Sequence, residues 1–176
     1  MMSSPLPSPP PELKASGVTA ITTQDNRWLR CDIKSISLLP NVLLRQQAVE
    51  AGTAEALLLR DGFLTEGAAS NIFVVSQGVL LAPPKNNLML PGITYDLVLE
   101  LAEADGIATR VGPVAETTVR AADELWLTSS TREVLPITVL DGQPVGKGQP
   151  GPLFKRMDDL YQAYKATVMR QPEGKS

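Results

Sequence analysis

The chain contains no histidine and one cysteine, and each shortage narrows its chemistry. Without histidine, a Ser/His/Asp triad, a Cys/His pair and the usual His-containing zinc sites cannot be assembled from these residues, so no metal site is expected. A lone Cys31 forms no internal disulfide, which fits a reducing, cytoplasmic compartment. No apolar run is long enough to cross a bilayer. The opening MMSSPLPSPPPE lacks the charged-then-apolar order of a signal peptide and reads as a disordered Pro/Ser leader. With a net charge of −3 there is no broad basic surface, so neither nucleic acid nor a membrane is expected as partner. Any catalysis therefore falls to lysine, carboxylates, tyrosine, hydroxyls or a bound cofactor.

What is present is ordinary globular material. Of 176 residues, 43% are hydrophobic and 20% charged, enough for one domain with a proper core. Strands are expected at 17–23, 28–33, 55–60, 71–76, 79–82, 107–111 and 124–127, from their β-branched or alternating residues. Asp61-Gly62, Gln77-Gly78 and Asp141-Gly142 mark tight hairpin turns, the last within 137–145. Helical spacing covers 41–51, a segment starting near Thr94, a short piece at 116–122 and 153–169. Mixed strands and helices with several hairpins indicate an α/β (mixed α+β) domain built on a mixed sheet.

Four stretches could carry chemistry, and each also has a plain structural reading. In RWLRCDIKS, Lys34 follows Trp28, Leu29, Cys31 and Ile33, flanks that should be buried. Either its stem packs while the ammonium reaches water, or it is a desolvated amine suited to Schiff-base chemistry. In TEGAASNIF, Glu66 precedes a run of small residues that would let a flat ligand approach the backbone; otherwise it is an exposed acid in a tight loop. LPGIT, Leu90 to Thr94, opens a helix with free N–H groups and a hydroxyl suited to an anion, or is simple N-capping by Thr94. LTSSTREV clusters hydroxyls after a strand, or forms a Ser/Thr turn. Together the four supply an amine, an acid for a pyridine nitrogen and donors for a phosphate, the inventory of a pyridoxal phosphate (PLP) site.

These stretches, with NVLLRQQAVEAG and EALLLRDG between them, occur in one order and spacing, and from about Gly17 to Lys165 the chain resembles the class IV (fold-type IV) aminotransferases. RWLRCDIKS is most similar to the D-amino acid enzymes; branched-chain members usually carry a GGNY-like segment where this chain has SISLLPN. The resemblance implies the C-terminal domain of that fold, a mixed sheet or pseudo-barrel with flanking helices, over 17–170, with a leader and linker at 1–16 and a flexible tail at 171–176. It implies that Lys34 carries pyridoxal 5′-phosphate and shuttles the substrate proton, while Glu66 keeps the ring nitrogen protonated. Leu90 would pack on the ring, Ile93, Thr94 and Ser130 would bind phosphate, and Ser129 would line the pocket.

The implied activity moves an amino group from a D-amino acid to a 2-oxo acid. Aminodeoxychorismate lyase, a branched-chain aminotransferase or a non-catalytic remnant are the alternatives. Where the family's loop carries two serines, this chain has Ala68 and Ala69. It also has no segment matching the family's smaller N-terminal domain, which supplies a phosphate-binding arginine and the substrate clamp. A truncated product is therefore expected, one that alone binds the cofactor poorly and transaminates slowly or not at all, with a second copy or a separately encoded N-terminal half as the partners open to it.

Overall fold

A computed structural model describes residues 8–169 of the protein. The expected tail at 171–176 lies outside them. Pro11–Ser16 is a short helix, α1, inside the segment expected to be leader and linker. Strand β1 (Val18–Gln24) follows, then helix α2 (Leu39–Glu50) and three strands, β2 (Glu55–Arg60), β3 (Phe63–Gly67) and β4 (Asn71–Ser76). Strand β5 (Val79–Ala82), helix α3 (Ile93–Ala104), strand β6 (Thr109–Val111) and helix α4 (Glu116–Arg120) come next. Strands β7 (Glu124–Ser129), β8 (Glu133–Leu140) and β9 (Gln143–Pro144) lead to helix α5 (Pro152–Tyr164), which ends in a π-turn at Lys165–Met169.

One mixed sheet holds the nine strands in the order β3-β2-β1-β8-β7-β4-β5-β6, with β9 on β8. β1 runs parallel to both β2 and β8, and the β2–β3, β8–β7 and β7–β4 pairs are antiparallel. β3 and β4 stand at opposite ends of a six-strand path, yet only residues 68–70 join them. The path must therefore curl until its ends meet, and Gly67 N donates to Ser70 O at 2.7 Å at the junction. The result is a curled half-barrel with helices on its outside.

Strand alternation sorts the core into layers. In β4, Ile72 and Val74 join Leu57, Leu59, Leu125, Leu127 and Ile137 inside the curl. Phe73 and Val75 face the other way, against Tyr95 and Val98 of α3 and Phe154 and Met157 of α5. Even with few aromatics, they gather here: Phe73 stacks on Tyr95 at 5.0 Å and Trp126 meets Phe154 edge-on at 6.3 Å. In β2 the odd leucines face inward while Ala56 and Leu58 receive Leu44 and Ala48 of α2. The turns at Asp61-Gly62 and Asp141-Gly142 have positive φ at both residues, the hairpin geometry their sequence demands.

Two sequence expectations are corrected. Trp28–Ile33 is not a strand: Trp28, Leu29 and Ile33 are 51%, 64% and 43% exposed, and only Arg27 and Cys31 turn inward. Cys31 N bonds Asn87 O at 2.8 Å and Asn87 Nδ2 bonds Leu29 O at 2.8 Å, so the chain is bolted to a loop rather than to a neighbouring strand. Conversely, β3 is a strand where a loop was expected, because its buried polar residues find partners instead of solvent.

A polar clasp fastens α1 to the C-terminal helix. Buried Glu133 accepts from Lys14 Nζ at 3.1 Å, from Gln162 Nε2 at 2.8 Å and from Lys165 Nζ, and Lys14 also reaches Asp158 at 2.6 Å. Burial opposes its charge, but the bonds from Lys165, Gln162 and Lys14 outweigh burial and hold the carboxyl at about 2, below its ordinary 4.5. A depressed carboxyl contributes stability that is complete above its unfolded value and lost as pH falls to the folded one. The contribution is on the order of 3 kcal/mol. Melting curves of parent and Glu133→Gln should therefore diverge most above pH 4.5 and converge towards pH 2. A gap independent of pH would show that the clasp does not act through this charge.

Candidate active site

Glu66 sits near the end of β3, 4% exposed, where the curl closes. Its Oε1 accepts from Arg27 Nη1, and its Oε2 accepts from Leu90 N at 3.1 Å and from Asn71 Nδ2 at 3.4 Å. Arg27, 5% exposed, is itself braced: Nε and Nη2 donate to the two oxygens of Asp25 at 2.9 and 3.0 Å, and Nη2 also to Leu88 O at 3.1 Å. Asp25 further accepts from Thr65 Oγ1 at 2.9 Å and pairs with Arg60 at 3.1 Å. Two carboxylates thus face two guanidiniums in the interior.

The electrostatics follow from this layout. Burial pushes Glu66 up to about 7, with Arg27 opposing it. Burial acts the same way on Asp25, yet the bonds and charge of Arg27 hold it below the usual carboxylate range. Desolvation works against the Arg27 charge, but Asp25 and Glu66 more than offset it and raise its pKa. Cys31, close by, is pushed up by burial and is no ready nucleophile.

Leu90 belongs to the same knot, since Asn71 Nδ2 donates to Leu90 O at 2.9 Å while Glu66 takes its N–H. Two residues on, a Cβ at position 92 would lie 2.5 Å from Asn71 Oδ1, so Gly92 is required by close approach. Gly92 is the N-cap of α3, with no side-chain cap bond, so Thr94 does not cap the helix as one sequence reading had it. Thr94 is buried in the first turn and Ile93 is exposed. Tyr95 OH donates to Pro83 O at 2.7 Å and fixes that turn.

Ser129 and Ser130 end β7 beside the start of β4, because Asn71 pairs with Thr128. Ser129 is half-buried and accepts from Arg132 N at 3.1 Å; Ser130 is exposed at the turn. Lys34 is exposed, contrary to the burial its flanks suggested, with Ile36 97% exposed beyond it. Its loop has two anchors. Cys31 N donates to Asn87 O at 2.8 Å and Asn41 Nδ2 donates to Ala68 O at 3.0 Å.

The structure thus binds Glu66 to Leu90 directly and sets Ile93 and Thr94 on the same segment. The Ser129–Ser130 turn lies at the same end of the sheet, whereas Lys34 stands on an exposed loop and makes no hydrogen bond or ion pair to these residues among the described ones. Sequence reasoning passed over Asp25, Arg27 and Asn71. A hint existed in the i, i+2 pair of opposite charges, Asp25 and Arg27, directly after a strand.

Residues 1–140 match the family model described as amino-transferase class IV. The D-alanine aminotransferase of Bacillus licheniformis is 46% identical over 153 residues, covering 87% of this chain and 54% of the relative. That of Staphylococcus epidermidis is 41% identical over 155 residues, covering 88% and 55%. Among solved structures, the branched-chain amino acid aminotransferase of Thermobaculum terrenum, in its PLP holo-form, aligns with TM-score 0.82 and 27% identity, covering 94% of this chain and 55% of that one. The Escherichia coli branched-chain enzyme aligns with TM-score 0.73 and 28% identity, covering 92% and 56%. The chain spans about half the length of the curated relatives it matches.

Proposed function

Because the chain belongs to the class IV aminotransferases, we propose that it holds pyridoxal 5′-phosphate across Glu66, the Leu90–Thr94 segment and the Ser129–Ser130 turn, for amino transfer between a D-amino acid and a 2-oxo acid. The observation that carries this reading is the buried Glu66 carboxylate. Of the four or so acceptor positions of a carboxylate, three are filled from the protein, which leaves one for a ring N–H.

Other features fit the same group. The first-turn N–H groups of α3 lack a side-chain cap and stand at the positive end of a helix, as a phosphate needs. The Thr128 hydroxyl, 1% exposed, has no partner among the described residues and lies opposite Asn71 in the sheet. Such an orphaned donor suits a site completed by a group from outside the chain.

When bound, the cofactor supplies an electron sink for the substrate's α-carbon. Lys34 offers the amine that holds the cofactor and the atom, Nζ, that accepts and returns the α-proton. Glu66 would keep a negative charge toward the ring nitrogen, and Leu90 would offer its side chain to the ring. Thr94, Ser130 and the N–H groups of Ile93 and Thr94 take the phosphate, and Ser129 lines the pocket. The D-alanine aminotransferase relatives, at 46% and 41% identity, favour a D-amino acid over the branched-chain amino acids named for the structural neighbours.

A second polypeptide surface completes the site in this reading. Trp28, Leu29, Ile33, Ile36, Leu39 and Val42, which flank Lys34 in the sequence, are all exposed large apolar side chains. Covering them, by another copy or by an N-terminal half, would desolvate Lys34 and make its amine more nucleophilic.

The D-preference is tested by a single half-reaction. PLP-loaded protein is mixed with D-alanine, L-alanine or L-leucine, and loss of the cofactor's violet absorbance is followed. Conversion by D-alanine alone is expected. Conversion by L-leucine but not D-alanine would replace the D-amino acid reading with the branched-chain one.

A further inference from the structure

We propose that Arg27 is a positioning residue of this site: braced by Asp25, it keeps Glu66 charged and aimed, so that Glu66 can serve the ring nitrogen. The inference rests on the functional reading above but concerns a residue that reading does not use.

The geometry is asymmetric in an informative way. Arg27 spends Nε and Nη2 on a two-point grip of Asp25, at 2.9 and 3.0 Å, and turns its remaining arm, Nη1, to one oxygen of Glu66. A guanidinium held by a fork cannot swing, so the position of Nη1 fixes Oε1. The other oxygen is fixed from a second direction by Leu90 N at 3.1 Å and Asn71 Nδ2 at 3.4 Å. Arg60, paired with Asp25 at 3.1 Å, balances the second acid, and Arg60 Nη2 also locks the backbone by donating to Arg27 O at 2.7 Å.

Stability alone is a poor account of this knot. Buried ion pairs are often replaceable by apolar residues of similar volume without loss. Here the charges lie directly behind the one carboxylate that the reading assigns to the cofactor. An acid this buried would hold its proton without a cation beside it, and a neutral acid gives the ring nitrogen no negative charge. Charged groups facing Glu66 from the surrounding elements are Arg27 and Asp25, with Arg60 beyond Asp25.

The test uses the full chain and the variants Arg27→Met, Arg27→Lys, Glu66→Gln and the double variant Arg27→Met with Glu66→Gln. Infrared difference spectra of cofactor-free protein, each referenced to the matching Glu66→Gln protein, isolate the Glu66 carboxyl. At pH 8 the parent should show carboxylate, whereas Arg27→Met should retain the band of a neutral acid. Carboxylate in Arg27→Met at pH 8 would overturn the proposal without touching the functional reading.

The D-alanine half-reaction on PLP-loaded protein then separates the two. Arg27→Met and Glu66→Gln should each slow it about 100-fold, and the double variant should be little slower than either, because the two act as one unit. Losses that multiply instead would mean that Arg27 acts apart from Glu66, and the proposal fails. If neither Glu66 variant changes the cofactor's spectrum or rate, the functional reading fails first. Should Arg27→Met not fold, Arg27→Lys decides: it keeps the charge and loses the fork, so carboxylate persists while the half-reaction slows about tenfold. Parent-like rate in Arg27→Lys would show that the fork positions nothing.

Discussion

Lys34→Ala is expected to end covalent attachment of PLP and to slow amino transfer from D-alanine by about 10³-fold or more, because it removes both the anchoring amine and the proton carrier. Three other lysines are engaged elsewhere. Lys14 is held by Glu133 and Asp158, Lys165 by Glu133, and Lys85 by Asp96 while it lies 5.8 Å over the Tyr95 ring. Lys34 stands on a loop whose flanks are tied to Asn87, three residues before Leu90, and to Ala68, two residues after Glu66. The measurement is the mass of borohydride-treated protein together with pyruvate release. An unchanged PLP adduct in Lys34→Ala would contradict the assignment.

Glu66→Gln should slow the half-reaction about 100-fold while PLP affinity falls much less, since the phosphate contacts remain. The same substitution has a signature without cofactor. Burial raises the folded carboxyl to about 7 from an ordinary 4.5. With the folded value above the unfolded one, the acid's contribution is complete below about 4.5 and is lost as pH rises through about 7. The loss is on the order of 3 kcal/mol. Parent melting temperatures should therefore drop relative to Glu66→Gln between pH 5 and 8. Once PLP is bound, the ring's positive nitrogen favours the carboxylate and the drop should shrink. An identical pH trend in parent and variant would mean that Glu66 is not the buried acid described here.

How much of this was readable beforehand differs by element. β2, β4 and β5 follow their expected bounds because each is a short apolar run closed by a turn dipeptide. Helices α2, α3 and α5 follow from spacing and from Pro or Gly at their starts. β3 escaped notice because Thr65 and Glu66 look like loop residues; what buries them is Asp25 and Arg27, about 40 positions away in sequence and reached only when the sheet curls.

The opposite error came from Trp28, Leu29 and Ile33. Hydropathy reads them as core, but nothing among the described residues covers them. The burial inferred for Lys34 failed for the same reason. Hydrophobic flanks signal that a surface will be covered, not that the same polypeptide covers it. Glu66, Leu90 and Thr94, the residues proposed for the site, stand out by residue type and order. Arg27, Asp25 and Asn71 were not, since their importance lies in whom they touch.

Borohydride reduction of PLP-loaded protein followed by peptide mapping tests the central claim most directly, that this chain holds PLP through Lys34 beside Glu66. Reduction fixes the cofactor to whichever amine carried it. A single modified peptide containing Lys34 is the predicted result; modification at Lys85 with none at Lys34 would contradict the account.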